Sequence, residues 1–375
     1  MKRLVILLFA TTLAIGAIGM WWHGQQDYQW QIRPYAPLPD VPVDNPMSDI
    51  KVELGRRLFY DTRLSANNTM SCASCHIQAL AFTDGKARAV GATGVVHPRS
   101  SMTLVNVAYA SRLTWANELI SHLEDQALTP LFGENPVEMG MSGHEEELVA
   151  MLKRDEHYAE LLPRSFPADE DPFSIVNVVR STSAFVRTII SFDAPYDRYL
   201  NGDEEALSER ALLGMELFFS ERLECFHCHG GFNFTDSTTH ANANVDRIGY
   251  HNTGLYNIDD AGAYPSDNTG LYDMTGQRRD MGRFKAPTLR NIAVTAPYMH
   301  DGSVLTLDDA ISHYARGGRL LEEGVYAGDG RRNPFKSEFV RGFEISDDER
   351  QALLAFLEAL SDETVLADPR FSNPH

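Results

Sequence analysis

The chain has few cysteines, a shortage of basic residues and almost no strand-like alternation, and each scarcity excludes a class of protein. Its four cysteines all lie in two short motifs, so none remains for a disulfide-stabilised scaffold. Asp and Glu (52) outnumber Lys and Arg (33), and the formal net charge of −19 argues against nucleic acid binding, which needs clustered cations. Such acidity suits solubility or a basic protein partner. The scarcity of period-two patterns argues against an all-β fold.

The N-terminus has the pattern of an export signal. Met1-Lys2-Arg3 is followed by an apolar run that ends near Trp22, and no later run approaches membrane-spanning length. Because Ala17-Ile18-Gly19 is only a fair cleavage site, residues 1–22 are expected to be a signal peptide or an uncleaved N-terminal anchor. We therefore expect a periplasmic protein that touches a membrane only through this segment. Residues 23–47 contain five prolines and are expected to be extended.

All four cysteines belong to two Cys-x-x-Cys-His pentapeptides. In this motif the thiols add to the vinyl groups of a haem and the histidine ligates its iron. A redox dithiol, a disulfide pair or half of a zinc site would each leave the histidine after the second cysteine unexplained in both motifs. The sequence therefore predicts two covalently bound haem c groups, one held by Cys72, Cys75 and His76, the other by Cys225, Cys228 and His229.

Features around the two motifs recur in the same order, which indicates duplication of one haem-binding domain. The paired segments are Leu54-Gly55-x-x-Leu58-Phe59 with Leu213-Gly214-x-x-Leu217-Phe218, Phe82–Asp84 with Phe234–Asp236, Thr103–Asn106 with Thr288–Asn291, and Leu123–Asp125 with Leu307–Asp309.

Helical spacing of apolar residues dominates the rest of the pattern. Helices are expected to begin at Ser48 and at Ser346, where Glu349 completes a capping pattern. The abundance of Gly, Asn and Asp after the second motif predicts long loops. We therefore predict a mainly α protein of two duplicated cytochrome c-like haem domains with long loops, residues 48–200 and residues 201–375.

Further motifs give the chain a family resemblance over roughly residues 46 to 362. Asn135-Pro136-Val137-Glu138-Met139 and the stretch from Ala286 to Gly302, together with the two haem motifs, resemble the di-haem cytochrome c peroxidase/MauG family. Three further motifs are most similar to those of the MbnH-like branch: His97-Pro98-Arg99, Met139-Gly140-Met141-Ser142 and Tyr314-Ala315-Arg316-Gly317-Gly318.

In that family the N-terminal haem reacts with peroxide. The resemblance implies that His76 is its proximal ligand, and that Gln126 and Glu138 lie in its distal pocket. A carboxylate can take a proton from peroxide and return it to the departing oxygen, while an amide can orient it. Without the haem, Glu138 would be a surface carboxylate and Gln126 a solvated helix residue. His97 is expected to be a loop or propionate-facing residue, which leaves this haem five-coordinate.

The resemblance also concerns the second haem and the region between the two. Tyr314 stands fourteen residues after His300, where peroxidases of the family place a Met ligand and MauG places a Tyr. Tyr314 is thus expected to ligate the second iron together with His229. The competing ligands are His313, Met299 and Met281, and Tyr314 could instead be a packed aromatic residue. Trp115 corresponds to the family's Trp between the haems, which shares electrons.

A calcium ion between the haems is a further implication of the resemblance. The corresponding ligands are Ser100, in place of the family's Asn, and the backbone carbonyls of Thr295 and Pro297. The Ser removes one good oxygen ligand, although carbonyls and water still suit Ca²⁺.

Three candidate functions follow, of which the resemblance implies the first two. In the first, H₂O₂ reacts at the N-terminal haem and a bis-haem high-valent state oxidises a partner side chain, a Trp of an MbnP-like copper-binding protein. In the second, a cytochrome c peroxidase reduces H₂O₂ with electrons from a small c-type cytochrome. In the third, the chain is a di-haem electron carrier, against which the distal residues Glu138 and Gln126 argue. Tyr314 favours the first.

Overall fold

The computed structural model describes residues 28–375, so the predicted signal or anchor at residues 1–22 lies outside the described part. Within that part, no helix is long and apolar enough to cross a membrane. The helices are α1 (Asp49–Tyr60), α2 (Cys72–Cys75), α3 (Leu123–Phe132), α4 (Glu145–Arg154), α5 (Glu156–Ser165), α6 (Ile175–Arg187), α7 (Pro195–Leu200), α8 (Glu209–Phe218), α9 (Cys225–His229), α10 (Tyr272–Thr275), α11 (Leu307–Ala315), α12 (Asp347–Glu358) and α13 (Glu363–Ala367).

Strands contribute little to the described structure, and the mainly helical prediction is confirmed. Two antiparallel pairs occur, each with strands of two residues: β1 (Tyr250–His251) with β2 (Phe284–Lys285), and β3 (Leu320–Leu321) with β4 (Gly328–Asp329). Ser48 caps α1 and Ser346 caps α12 with a capping box through Glu349, as predicted.

Two helices that cross at a glycine organise each half of the chain, where the first half is residues 48–200 and the second half is residues 201–375. In the first half α1 crosses α6, and a Cβ on Gly55 would lie 1.9 Å from the carbonyl oxygen of Ser181. In the second half α8 crosses α12, and a Cβ on Gly214 would lie 1.9 Å from the carbonyl oxygen of Ala352. The two glycines of the repeated Leu-Gly pattern therefore allow backbone contact that any side chain would prevent.

A triad of phenylalanines packs beside each helix crossing. In the first half, the ring centroids of Phe59 and Phe185 are 5.2 Å apart and those of Phe59 and Phe82 are 6.3 Å apart. The corresponding separations in the second half are 5.3 Å for Phe218 with Phe356 and 5.9 Å for Phe218 with Phe234. Each buried ring contributes about 1.5–3 kcal/mol through removal of apolar surface from water.

The Thr-Leu-x-Asn segments also adopt matching local structures. Thr103 Oγ1 donates to the carbonyl of Ala81 at 2.6 Å, and Thr288 Oγ1 donates to that of Asn233 at 2.6 Å. Asn106 and Asn291, each in the left-handed region (φ 57° and 59°), precede short 3₁₀ turns. Asn tolerates that conformation better than most residues, which explains its place in both segments.

Two segments tie the halves together. Asp197 of α7 forms a buried bidentate ion pair with Arg290, at 2.8 and 3.0 Å, so α7 is held by the second half. In the opposite direction, Val365 of α13 and Phe371 join the core that contains Phe59 of the first half. The C-terminal tail therefore stabilises the first half of the molecule.

Candidate functional site

The first Cys-x-x-Cys-His motif forms the short helix α2 and lines a cavity of about 970 Å³. Burial raises the pKa of the Cys72 thiol to about 12 and that of Cys75 to about 11. A redox dithiol or metal-binding thiolate instead needs a lowered pKa, so the local environment opposes both alternatives. Uncharged sulfur beside a large cavity fits thioether attachment of a haem.

His76 is oriented as an iron ligand requires. Its Nδ1 donates to the carbonyl oxygen of Phe82 at 2.8 Å, which fixes the tautomer with Nε2 unprotonated. Burial lowers the pKa of His76, so the ring stays neutral. Phe82 comes from the repeated Phe-Thr-Asp segment and sits in the left-handed region (φ 60°). The same cavity thus receives two thiols and a neutral imidazole.

Gln126 and Glu138 line the same cavity. Gln126 lies on α3, and its Oε1 is buried without a hydrogen-bond partner in the described structure. Burial raises the pKa of Glu138 above its usual value. An amide oxygen without a partner and a carboxyl of raised pKa are suited to bind and deprotonate a small polar molecule.

His97, expected to be a loop or propionate-facing residue, also lines this pocket, and its contact with Glu138 was not predicted. Its Nε2 lies 3.7 Å from Oε1 of Glu138. The position depends on the loop of residues 89–99, which turns back on itself through hydrogen bonds from Gly91 N to Val95 O and from His97 N to Ala89 O. Gly91 is the residue in the sequence that could have indicated this contact. Because Gly91 has no side chain, the loop can approach the backbone of residues 137 and 138.

The second haem motif repeats the first arrangement in α9. His229 Nδ1 lies 3.1 Å from the carbonyl oxygen of Pro287 and 3.3 Å from that of Phe234, again leaving Nε2 as the free nitrogen. Burial lowers the pKa of His229 and raises that of Cys225 to about 12. The residues therefore fit the same covalent cofactor as those of the first motif.

Tyr314 is placed beside this motif by helix α11. Burial raises the pKa of the Tyr314 phenol, and the nearby thiols of Cys228 and Cys225 raise it further. Its competitor His313 is engaged elsewhere, because His313 Nε2 lies 2.9 Å from the carbonyl oxygen of Thr253. Tyr314 thus lies near enough to the two thiols of the second motif for their charges to affect its phenol.

Trp115 is held by both halves of the chain. Its indole Nε1 donates to the carbonyl of Ser100 at 2.9 Å, and its own carbonyl accepts from the backbone N–H of Lys285 at 2.8 Å. It lines the large cavity and also packs against the core of the second half. This position joins the surroundings of the two motifs.

The predicted calcium ligands lie on neighbouring loops. Ser100 N donates to the carbonyl of His300 at 2.9 Å, and Ser100 Oγ to that of Met299 at 3.2 Å. Ser100 is thereby joined to the segment that carries Thr295 and Pro297. The ligand set for calcium stays a prediction.

Comparisons with known proteins agree with this geometry. Residues 49–205 match the family model of di-haem cytochrome c peroxidase. Cytochrome-c peroxidase IdrP1 of Pseudomonas sp. (strain SCT) is 34% identical over 345 residues, covering 88% of this chain and 86% of the relative. The methylamine utilization protein MauG of Methylorubrum extorquens is 34% identical over 326 residues, covering 86% of this chain and 81% of the relative.

Solved structures share the fold. The crystal structure of a MauG-like protein associated with microbial copper homeostasis is 47% identical, with a TM-score of 0.90, over 92% of this chain and 99% of that chain. The diheme peroxidase BthA from Burkholderia thailandensis E264, 20% identical over 91% of this chain and 96% of that chain, has the same fold with a TM-score of 0.65. The chain therefore belongs to the di-haem cytochrome c peroxidase family of oxidoreductases, which includes both peroxidases and MauG proteins.

Proposed function

We propose that this protein is a periplasmic di-haem oxidoreductase that reacts with H₂O₂ at its first haem and oxidises a side chain, a Trp, of a partner protein. In this proposal residues 48–200 and 201–375 are two copies of one cytochrome c-like haem domain. The repeated glycine crossings, phenylalanine triads and Asn turns support the duplication. The observation that carries the function is the position of Tyr314 beside the second haem motif.

The haems, when bound through Cys72, Cys75, Cys225 and Cys228, would supply iron for peroxide binding and for electron transfer. The protein residues of the first half would control protons. Glu138 Oε would accept a proton from peroxide and return it to the departing oxygen, which leaves as water. Gln126 would hold the peroxide by its amide, and His76 Nδ1 would keep its hydrogen bond to Phe82.

Tyr314 would hold the iron of the second haem together with His229. A buried phenol of raised pKa ionises only beside a cation, and ferric iron is such a cation. An anionic oxygen ligand favours oxidised iron more strongly than the thioether of Met, which suits a haem that stores oxidising equivalents better than a haem of high potential that a cytochrome reduces. Trp115, bonded to Ser100 and to Lys285, would connect the two haems.

The partner we propose is an MbnP-like copper-binding protein. The relative of 47% identity is associated with copper homeostasis, and it covers nearly the whole chain. The net charge of −19 would favour a partner with a basic docking surface. Residues 1–22 would direct export, as a cleaved signal or an anchor, and Ca²⁺ would bind through Ser100, Thr295 and Pro297.

A second function is favoured by a different observation. The relative IdrP1 is named a cytochrome-c peroxidase and covers 88% of this chain. In that alternative, a small c-type cytochrome would deliver electrons to the second haem for reduction of H₂O₂. In both functions electrons pass from another protein to this chain, but the haem held by His229 would receive them in different oxidation states.

Substitution of Tyr314 tests the proposal. Tyr314→Phe keeps the ring and removes the donor oxygen, so the low-spin ferric spectrum should change and H₂O₂-dependent oxidation of the partner Trp should be lost. Tyr314→Met should instead raise the potential of this haem and increase electron uptake from a reduced cytochrome.

His313→Gln is the control, because Gln can keep the hydrogen bond to the Thr253 carbonyl. A spectrum unchanged by Tyr314→Phe but altered by His313→Gln would assign the ligand to His313. The peroxidase alternative would then be the better account.

A further inference from the structure

The hydrogen-bond partners of His97 determine which of its two ring nitrogens carries the hydrogen. Nδ1 accepts the backbone N–H of Arg99 at 3.1 Å, and a backbone amide can only donate. Nδ1 is therefore unprotonated in the neutral ring, and Nε2 carries the hydrogen. The nearest charged partner of Nε2 is Oε1 of Glu138, at 3.7 Å. A carboxylate can only accept, so the two groups are matched as donor and acceptor.

The backbone fixes this pair from both sides. On the His97 side, the loop of residues 89–99 closes through His97 N to Ala89 O at 2.8 Å. On the Glu138 side, the carbonyl of Glu138 accepts from Ala92 N at 2.7 Å, which joins the carboxylate's own segment to the same loop. Both residues line the cavity that contains Cys72 and His76.

We propose that His97 is a positioning residue for Glu138: its Nε2–H donates to Oε1 and leaves Oε2 as the acceptor for peroxide. The inference rests on the proposed function, since it assigns Glu138 the proton transfer. The separation of 3.7 Å shortens by a small side-chain rotation, as hydrogen bonds of catalytic groups commonly do when substrate enters. Burial and the Arg99 guanidinium lower the pKa of His97, which keeps the ring neutral and the donor at Nε2.

Two substitutions separate the contacts of His97. His97→Asn keeps an oxygen that can accept from Arg99 N–H but removes the donor near Glu138. His97→Gln places an amide N–H near the position of Nε2 and so can restore that donor. The matched control is His144→Asn, because His144 forms a similar pair with Glu147 at 2.8 Å on the exposed surface, away from the cavity.

The measurement is the rate of cyanide binding to the ferric holoprotein, which requires no turnover. Hydrogen cyanide binds ferric haem as the anion, so its proton must pass to a base in the cavity. We expect His97→Asn to slow cyanide association about tenfold, because loss of a hydrogen bond to a charged group costs roughly that factor. His97→Gln should stay within about threefold of wild type, because its amide N–H can replace the lost donor. His144→Asn should have no effect. Haem content and the spectrum of the ferric protein should be unchanged in all three.

The double variant with Glu138→Gln gives the decisive comparison. If His97 acts through Glu138, then adding His97→Asn to Glu138→Gln should cause no further slowing. Additive slowing, or a normal rate for His97→Asn alone, would overturn the inference. A change of the first haem from low spin to high spin in either His97 variant would also overturn it, because His97 would then be an iron ligand. A normal cyanide rate and a normal peroxide rate in Glu138→Gln would move the acid/base role to another residue and overturn the inference, whereas failure of the wild-type holoprotein to react with H₂O₂ would reject the proposed function itself.

Discussion

Helices α3 and α11 begin with the same pattern in the two halves but present different side chains to the two haem sites. Pairing Leu123 with Leu307 places Gln126 opposite Ala310, and Pro130 opposite Tyr314. In the first half, Gln126 and Pro130 both line the large cavity. Proline offers no side-chain donor to a metal, whereas Tyr314 offers a phenol at the matched position of the second half.

The difference indicates how similar helices in the two halves can carry different side chains for peroxide reaction and for iron ligation. The helix crossings at glycine and the phenylalanine triads are similar in both halves. In the proposed function, the side chains on one matched helix, together with Glu138 and His97 from loops, would determine what happens at the iron. Reactivity in the first half and ligation in the second would then depend on few residues outside the repeated core.

The largest expected effect comes from removing haem attachment in either half. Cys225→Ala with Cys228→Ala should abolish the second haem, and Cys72→Ala with Cys75→Ala the first. Loss of the second haem should disorder more of the chain than loss of the first, because residues 230–282 contain few regular elements to pack without the cofactor. Haem-to-protein ratios from the pyridine haemochrome, with intact masses, check this. Two haems in either variant would contradict covalent attachment at these motifs.

The next effect should be confined to the first half. Glu138→Gln should slow the reaction with H₂O₂ by about 10² to 10⁴, because it removes the group that carries the proton. The low-spin signal of the second haem should be unchanged. Stopped-flow spectra after mixing with H₂O₂ measure the rate, and an unchanged rate would move the acid/base role to another residue.

Two buried ion pairs allow a comparison of a contact between the halves with a contact inside the first half. Asp197 is 3% exposed and pairs with Arg290 of the second half, whereas Glu124 is 17% exposed and pairs with Arg187 of the first half. Asp197→Asn should cost about 3–5 kcal/mol, since Arg290 would remain buried without a counter-charge. Glu124→Gln should cost less, because the Glu124 carboxylate is itself closer to water, which screens its charge. Urea unfolding of the holoprotein measures both, and the reverse order would contradict the reasoning from burial.

The smallest effects should be equal in the two halves. Gly55→Ala and Gly214→Ala should each cost about 1–3 kcal/mol, because the added Cβ forces the crossing helices apart. Glu216→Ala, on the exposed face of α8, should stay within about 0.5 kcal/mol of wild type. Thermal unfolding measures all three. A large cost in one half only would show that the two crossings are not equivalent.

Local patterns predicted much of the scaffold. The start of α1 at Ser48, the capping box at Ser346 and the sparse strands are confirmed, since caps and periodicity are properties of neighbouring residues. Gln126 and Glu138 were expected near each other only through the family resemblance, and both line the large cavity.

Contacts between distant segments could not be predicted in the same way. The approach of His97 to Glu138 depends on how the loop of residues 89–99 packs against the backbone of residue 138. The bond from Lys285 N to the Trp115 carbonyl joins segments 170 residues apart. No local propensity encodes such a pairing, and it emerges only when both halves are folded.

In the proposed function the first haem is open to peroxide and the second is closed by Tyr314. Electron paramagnetic resonance of the ferric holoprotein distinguishes these two states. We expect one high-spin signal from the haem of His76 and one low-spin signal from the haem of His229, with only the low-spin signal altered by Tyr314→Phe. Two low-spin signals, both unaffected by Tyr314→Phe, would contradict this expectation.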